Sequence, residues 1–449
     1  MRVPAIKFSK VTLGYMLAIA WVVSIALSPF FRHPSDVPTW KFLGEITFNL
    51  RINPLPYTSF YGSCWLFTIL SSYPTYLIVS LFRASDLFLN LILKVPIIVG
   101  DLIVGVVLFK FTKSKLVTAM WLFNPFVIFV SAIQGQFDVL PTLFVLLATY
   151  FLLQRKNLAS AVSLAIGIGF KIFPVFLLPF FIIFSLKNLG RKATLKYVIV
   201  LVAVVAVLFA PFFLPQNFKY LFEGLSDLPQ RSVAYVGSSV SYIEYLTLQL
   251  HFLSNYNFLY VFIPLYLALF FVSKKFVKDF NTLNLSIIVV LLLLFVTYNT
   301  MHPQFLIWIL PFLFIEYERN KRVPVVLVSA LWIWMLVWIF SWNLGSWVVG
   351  PLEPFFANAS TGANNQLLLV SSMNFSAYAF ACLASVTGLL RRVKLASSKR
   401  VRYLILSVST LLMDLLLYLF YGSSMIFIPV LCFGLFFPLI VLSFGEGNS

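Results

Sequence analysis

Apolar runs of about 20 residues recur from Val11 to the C-terminus, separated by short polar stretches that hold most of the basic residues. That length is what a helix needs to cross a bilayer. Backbone in lipid must satisfy its own hydrogen bonds, so such a chain is expected to be all-α and polytopic. With the N-terminus on the cytoplasmic side, span 1 covers about Val11–Phe30 and span 2 about Leu87–Phe109. Later hairpins return to Arg155 and Lys156, to Lys187–Lys196, Lys274–Lys278, Arg319–Arg322 and Arg391–Arg402. The pattern gives about 11 to 14 spans. Residues 1–318 are read as a core with a first outer loop at 31–86 and a second large outer loop at 215–251, and residues 319–449 as C-terminal transmembrane helices.

Composition supports this class. With 61% hydrophobic and 10% charged residues, a soluble domain of 449 residues could not hide its apolar surface in one core. The net charge of +18 first suggests nucleic acid, but its distribution excludes that partner. The threading puts 24 of the 32 lysines and arginines on the cytoplasmic side, as the positive-inside bias requires. Outside that set are Arg32, Lys41, Arg51, Arg83, Lys94, Lys171, Lys219 and Arg231. Cys64, Cys382 and Cys432 show neither metal-ligand nor disulfide spacing and read as packing residues. The basic N-terminus before its apolar run resembles a signal peptide, yet the run is long and reads as an uncleaved first span.

Candidate chemistry gathers on the outward turns. In the first outer loop, Ser35 or Asp36 can cap a helix with Pro38 in its first turn. Trp40, Leu43, Ile46 and Leu50 then share one face and Lys41, Glu45 and Asn49 another, the pattern of an amphipathic helix lying on the membrane surface. Asp36 fits an N-cap as well as it fits a reactive carboxylate, and Glu45 fits an exposed i,i+4 partner of Lys41.

Three hairpins are short, since two full crossings need roughly 40 residues. Between Lys115 and Gln154 there are 38 residues, with Gln134-Gly-Gln-Phe-Asp138 near the turn. Between Lys156 and Lys187 there are 30, with Lys171 near the middle, and between Asp279 and Glu316 there are 36, with Met301-His-Pro-Gln304 past the middle. The second cannot cross fully twice, because about 15 helical residues rise only roughly 22 Å. Its turn is therefore expected at membrane depth, where a lysine is functional or else snorkels to the interface. Asp138 as a solvated loop acid and His302 as a structural histidine are the bland alternatives. Asp101, inside span 2, is read as structural, paired with Lys94 at i,i+7 or holding neighbouring helices.

An outward pocket with one carboxylate and several cationic or amide donors suits group transfer from a lipid phosphate. The carboxylate accepts the proton of an attacking sugar hydroxyl, and Lys, His and Gln stabilise the departing phosphate. The runs Lys94-Val-Pro-Ile-Ile-Val-Gly-Asp101, Asn124-Pro125, Ser131-Ala-Ile-Gln-Gly-Gln-Phe-Asp138, Gly169-Phe-Lys171-Ile-Phe-Pro174 and His302-Pro-Gln-Phe-Leu-Ile-Trp308 together resemble the GT-C superfamily of membrane glycosyltransferases. Their nearest likeness is to the branch that uses polyprenyl-phosphate mannose or glucose.

The resemblance implies a first outer loop with two juxtamembrane helices, an acidic catalytic residue matched by Asp36, and a second acidic position matched by Asp138. It also implies dolichyl- or undecaprenyl-phosphate sugar donors and transfer with inversion. The resulting expectation is a hexosyltransferase, mannose first, with Asp36 as general base and a lipid-linked or glycan acceptor. Lys171, His302 and Gln304 would hold the donor phosphate; Gln136, Asp138, Arg231, Glu244 and Glu45 would line the substrate site. No cofactor is expected, and the lone Asp36, without the paired acids of many relatives, argues against a metal. The site would face the non-cytoplasmic side of the plasma membrane or endoplasmic reticulum. The competing readings are a transporter or flippase of lipid-linked saccharide and an oligosaccharide polymerase or ligase.

Overall fold

The structure, a computed structural model, describes residues 12–34, 36–48, 65–220, 259–298, 303–320, 348–352 and 354. Among them there is no strand, only an isolated antiparallel bridge between Phe31 and Val348. The first helix, α1 (Leu13–Leu27), is capped by the Thr12 hydroxyl and ends at Ser28. Two helices occupy the first outer segment. α2 (Asp36–Phe48) packs on α3 (Tyr73–Leu81), which follows a short α turn and a π-helical turn. On α2, Val37, Trp40, Leu43 and Ile46 are buried and Glu45 is exposed, so the amphipathic face read from sequence is the one that packs. Gly44 permits the close approach: a Cβ there would lie 2.4 Å from Cβ of Tyr76.

The longest helix, α4 (Asp86–Thr112), starts on a Ser85 cap and stops at Lys113, whose φ of 57° turns the chain into α5 (Lys115–Leu122). Asn124 caps a new start at Pro125, and a π-helical turn, Phe129–Gln134, ends at Gly135 with φ 78°. Next come α6 (Val139–Leu153) and α7 (Asn157–Phe170), an antiparallel hairpin. A 3-10 turn (Phe173–Leu177) then leads into α8 (Leu178–Leu189), followed by α9 (Arg191–Leu208). The remaining described helices are α10 (Leu259–Phe276), α11 (Phe280–Thr297) and α12 (Leu306–Asn320), the last packed against α4, α6 and α11. A capping box at Asp279 and Thr282 starts α11.

Among the described residues, two stretches, Asp86–Thr112 and Lys115–Gln134, are long and apolar enough to cross a membrane. Several shorter apolar helices accompany them, among them the 14-residue α7. It rises only roughly 21 Å. Because α6 and α7 are of nearly equal length, the residue before α6 meets the residue after α7. Those residues are Asp138 and Lys171.

Candidate functional site

Two polar groups flank the tripeptide Gln136-Phe137-Asp138. The first is built on the start of α2. The Asp36 carboxylate accepts from the Gln136 side-chain amide through Oδ2. The backbone N–H of Asp36 donates to Nδ1 of His33 at 3.2 Å, and that nitrogen lies 3.4 Å from Asp36 Oδ2. A nitrogen that accepts an N–H carries no proton of its own, so the contact with Oδ2 is a neighbouring acceptor rather than an ion pair. Burial agrees: it holds the His33 imidazole below its ordinary pKa against the opposing pull of Asp36. His33 is anchored in turn by its backbone N–H, which donates to the Gln134 carbonyl at 3.0 Å.

The second group is the salt bridge between Lys171 Nζ and Asp138 Oδ1, 2.6 Å long. The Trp308 indole N–H donates to the same oxygen at 2.6 Å, and Oδ2 is buried without a hydrogen-bond partner among the described residues. The ammonium lies 4.9 Å from the ring centre of Phe305, 5.2 Å from that of Trp308 and 5.5 Å from that of Phe137, within cation–π range. Phe173 and Phe305 each stack on Trp308 with centroids 4.2 Å apart. Phe137 joins the groups, since it also stacks on Phe67 at 4.3 Å and meets Trp40 of α2 edge-on at 5.9 Å. A fully buried carboxylate is tolerated only with such partners. Asp138 therefore holds Lys171 in place, while the side chains of Lys171, 15% exposed, and Asp36, 20% exposed, are only partly buried.

The structure thus gathers Asp36, Gln136, Asp138 and Lys171. Gln304 lies half-buried in the 3-10 turn Pro303–Phe305, next to the Phe305 ring that covers Lys171. Glu45 is exposed on α2, nine residues beyond Asp36 and roughly 13 Å along the axis. Arg231, Glu244 and His302 lie outside the described residues.

Two expected pairings differ. Lys41 pairs with Asp86 at the start of α4, at 2.7 Å, instead of with Glu45. Lys94 does not meet Asp101, because its ammonium is taken up by backbone carbonyls, and the Asp101 carbonyl instead accepts the Trp121 indole N–H of α5 at 3.0 Å. Sequence reading also passed over His33 and Trp308. His33 stands three residues before Asp36, and Trp308 shares a helical face with Phe305 and Gln304, spacings that could have flagged both.

The model of glycosyltransferase family 87 matches residues 42–298, more than half of the chain. That stretch contains Lys94, Gln136, Asp138 and Lys171; Asp36 stands just before it and Trp308 just after. Three fungal proteins named GPI mannosyltransferase 1 are similar over shorter stretches. The one from Candida albicans is 27% identical over 150 residues, 28% of this chain and 37% of the relative. That from Debaryomyces hansenii is 31% identical over 100 residues, 19% of this chain and 24% of the relative. That from Kluyveromyces lactis is 29% identical over 126 residues, 26% of this chain and 31% of the relative. The similarity therefore covers less than two fifths of the length of each of these curated relatives.

Proposed function

The chain belongs to glycosyltransferase family 87, and on that premise we propose that it is a polytopic GT-C-type enzyme transferring mannose from a polyprenyl-phosphate sugar. The acceptor is a lipid-linked or glycan hydroxyl on the non-cytoplasmic side, and the anomeric centre inverts. The relatives' mannosyltransferase names support mannose over other hexoses. The arrangement that carries the reading is a partly exposed carboxylate, Asp36, and a partly exposed ammonium side chain, Lys171, held on either side of one tripeptide, Gln136-Phe137-Asp138.

In the reaction, an acceptor hydroxyl gives its proton to Asp36 as its oxygen attacks the anomeric carbon. The bond from that carbon to the phosphate oxygen breaks, and the lipid phosphate leaves with the electron pair. Lys171 faces the charge that grows on the phosphate, with Gln304 and His302 as further donors. Gln136 orients the Asp36 carboxylate by donating to Oδ2, and the neutral His33 fixes the backbone behind it. Asp138 aims Lys171 without touching the substrate, since it is fully buried. Arg231 and Glu244, in the second outer loop, are assigned to the sugar or acceptor.

The test is incubation of purified protein with labelled polyprenyl-phosphate mannose and, separately, glucose, following release of the lipid phosphate. Release from the mannose donor is expected. Release from neither donor overturns the reading.

A further inference from the structure

We propose that Lys94 is a positioning residue for Asp36, a clamp that sets where the base stands. The proposal rests on Asp36 being the base. Lys94 is fully buried in α4, and its Nζ lies 3.0 Å from the carbonyl oxygen of Ser28, 2.9 Å from that of Ala132 and 3.0 Å from that of Ile133; it also donates to the carbonyl of Phe31. An ammonium has three hydrogens, so four acceptors share them and nothing is left for an acid or a substrate.

The acceptors come from the ends of two helical segments. Ser28 caps the C-terminus of α1, with Phe31 just beyond it, and Ala132 and Ile133 close the π-helical turn. Helix C-termini leave carbonyls unpaired and carry the negative end of the helix dipole, so a buried cation belongs there. One ammonium thereby ties two termini together.

From each terminus the chain runs straight into the first polar group. Phe31 stands five residues before Asp36, and Ile133 three before Gln136. Between them the His33 N–H donates to the Gln134 carbonyl at 3.0 Å, and Gln136 closes the ring on Asp36. Gly135 leaves room for the lysine stem: its φ is 78°, and a Cβ there would lie 2.8 Å from Lys94 Cε. On the far side, the Val349 N–H donates to the Phe30 carbonyl at 2.9 Å, so the segment is held from both directions.

Lys94→Met keeps the apolar stem and removes the ammonium; Gly135→Ala disturbs the same clamp from outside and serves where Lys94→Met does not fold. Each full-length variant is measured in two ways. Hydrogen exchange is expected to quicken about tenfold at the amides of His33 and Asp36, with those of α6 unchanged. Turnover is expected to drop about 100-fold, the cost of a base misplaced by an ångström, while the donor KM stays within about threefold. Unchanged exchange overturns the clamp. Unchanged kcat, or a raised donor KM at constant kcat, overturns its action on the base. If the wild-type protein transfers no sugar from any polyprenyl-phosphate donor, the proposed function fails, and exchange, which needs no substrate, still decides the clamp.

Discussion

Removing the ammonium from the Lys171–Asp138 pair separates stability from chemistry. Lys171→Met leaves a carboxylate that is fully buried with only the Trp308 N–H for company. A buried charge stripped of its partner costs about 3–5 kcal/mol. Asp138→Asn should cost less, about 1.5–3 kcal/mol, because the ammonium keeps its aromatic neighbours. In the double variant no uncompensated charge remains, and the Asn oxygen can still accept from Trp308. Its loss should match the smaller single loss, which makes the coupling energy equal to the larger one, about 3–5 kcal/mol. Unfolding by SDS in mixed micelles, followed by tryptophan fluorescence, measures all four corners of the cycle. Transfer should behave differently: the double variant regains stability over Lys171→Met but stays about 100- to 1,000-fold slower than wild type, because the donor phosphate has lost its cation. Additive losses, with coupling below about 0.5 kcal/mol, would refute the buried pair. A double variant that regained full turnover would refute the role of Lys171.

Three further outcomes follow from the same geometry. Burial lowers the folded pKa of His33 below the ordinary histidine value of 6.5, so the unfolded chain binds the extra proton first and stability should fall as pH drops below about 6.5. Above that pH the group contributes nothing to the slope, and a His33→Gln variant should lose the acid-side dependence in SDS titrations run from pH 5 to 8. Gly44→Ala drives a Cβ into Tyr76, so it should destabilise the α2–α3 contact by about 1–3 kcal/mol, read by the same titration. Lys41→Ala breaks an ion pair whose side chains are 38% and 58% exposed, so unfolding should shift by at most about 1 kcal/mol; a larger shift would mean that the pair is buried by a neighbouring segment.

Much of this architecture was legible because apolar length and turn chemistry act locally. The shortness of the 157–186 hairpin anticipated the short α7, and the amphipathic spacing after Asp36 anticipated the buried face of α2. The convergence of Asp138 and Lys171 was legible only as two outward turns. Their contact depends on the nearly equal lengths of α6 and α7, and the third partner, Trp308, arrives from a helix 170 residues away.

Lys94 shows where local spacing misleads. Seven residues from Asp101 is two helical turns, roughly 10 Å along the axis, and the termini of α1 and the π-helical turn offered four carbonyls closer by. Lys41 took the same course, since Asp86 on another helix displaced the i,i+4 partner that the sequence supplied. In both cases a partner brought in by packing won over one supplied by spacing.

The most direct measurement is a single-turnover experiment with Asp36→Asn and labelled polyprenyl-phosphate mannose. Asn keeps the shape of the side chain and its acceptor oxygen for Gln136 but cannot take a proton. Donor affinity should stay within about threefold of wild type, while release of polyprenyl phosphate should slow by about 100- to 10,000-fold. Release at the wild-type rate would contradict Asp36 as the base.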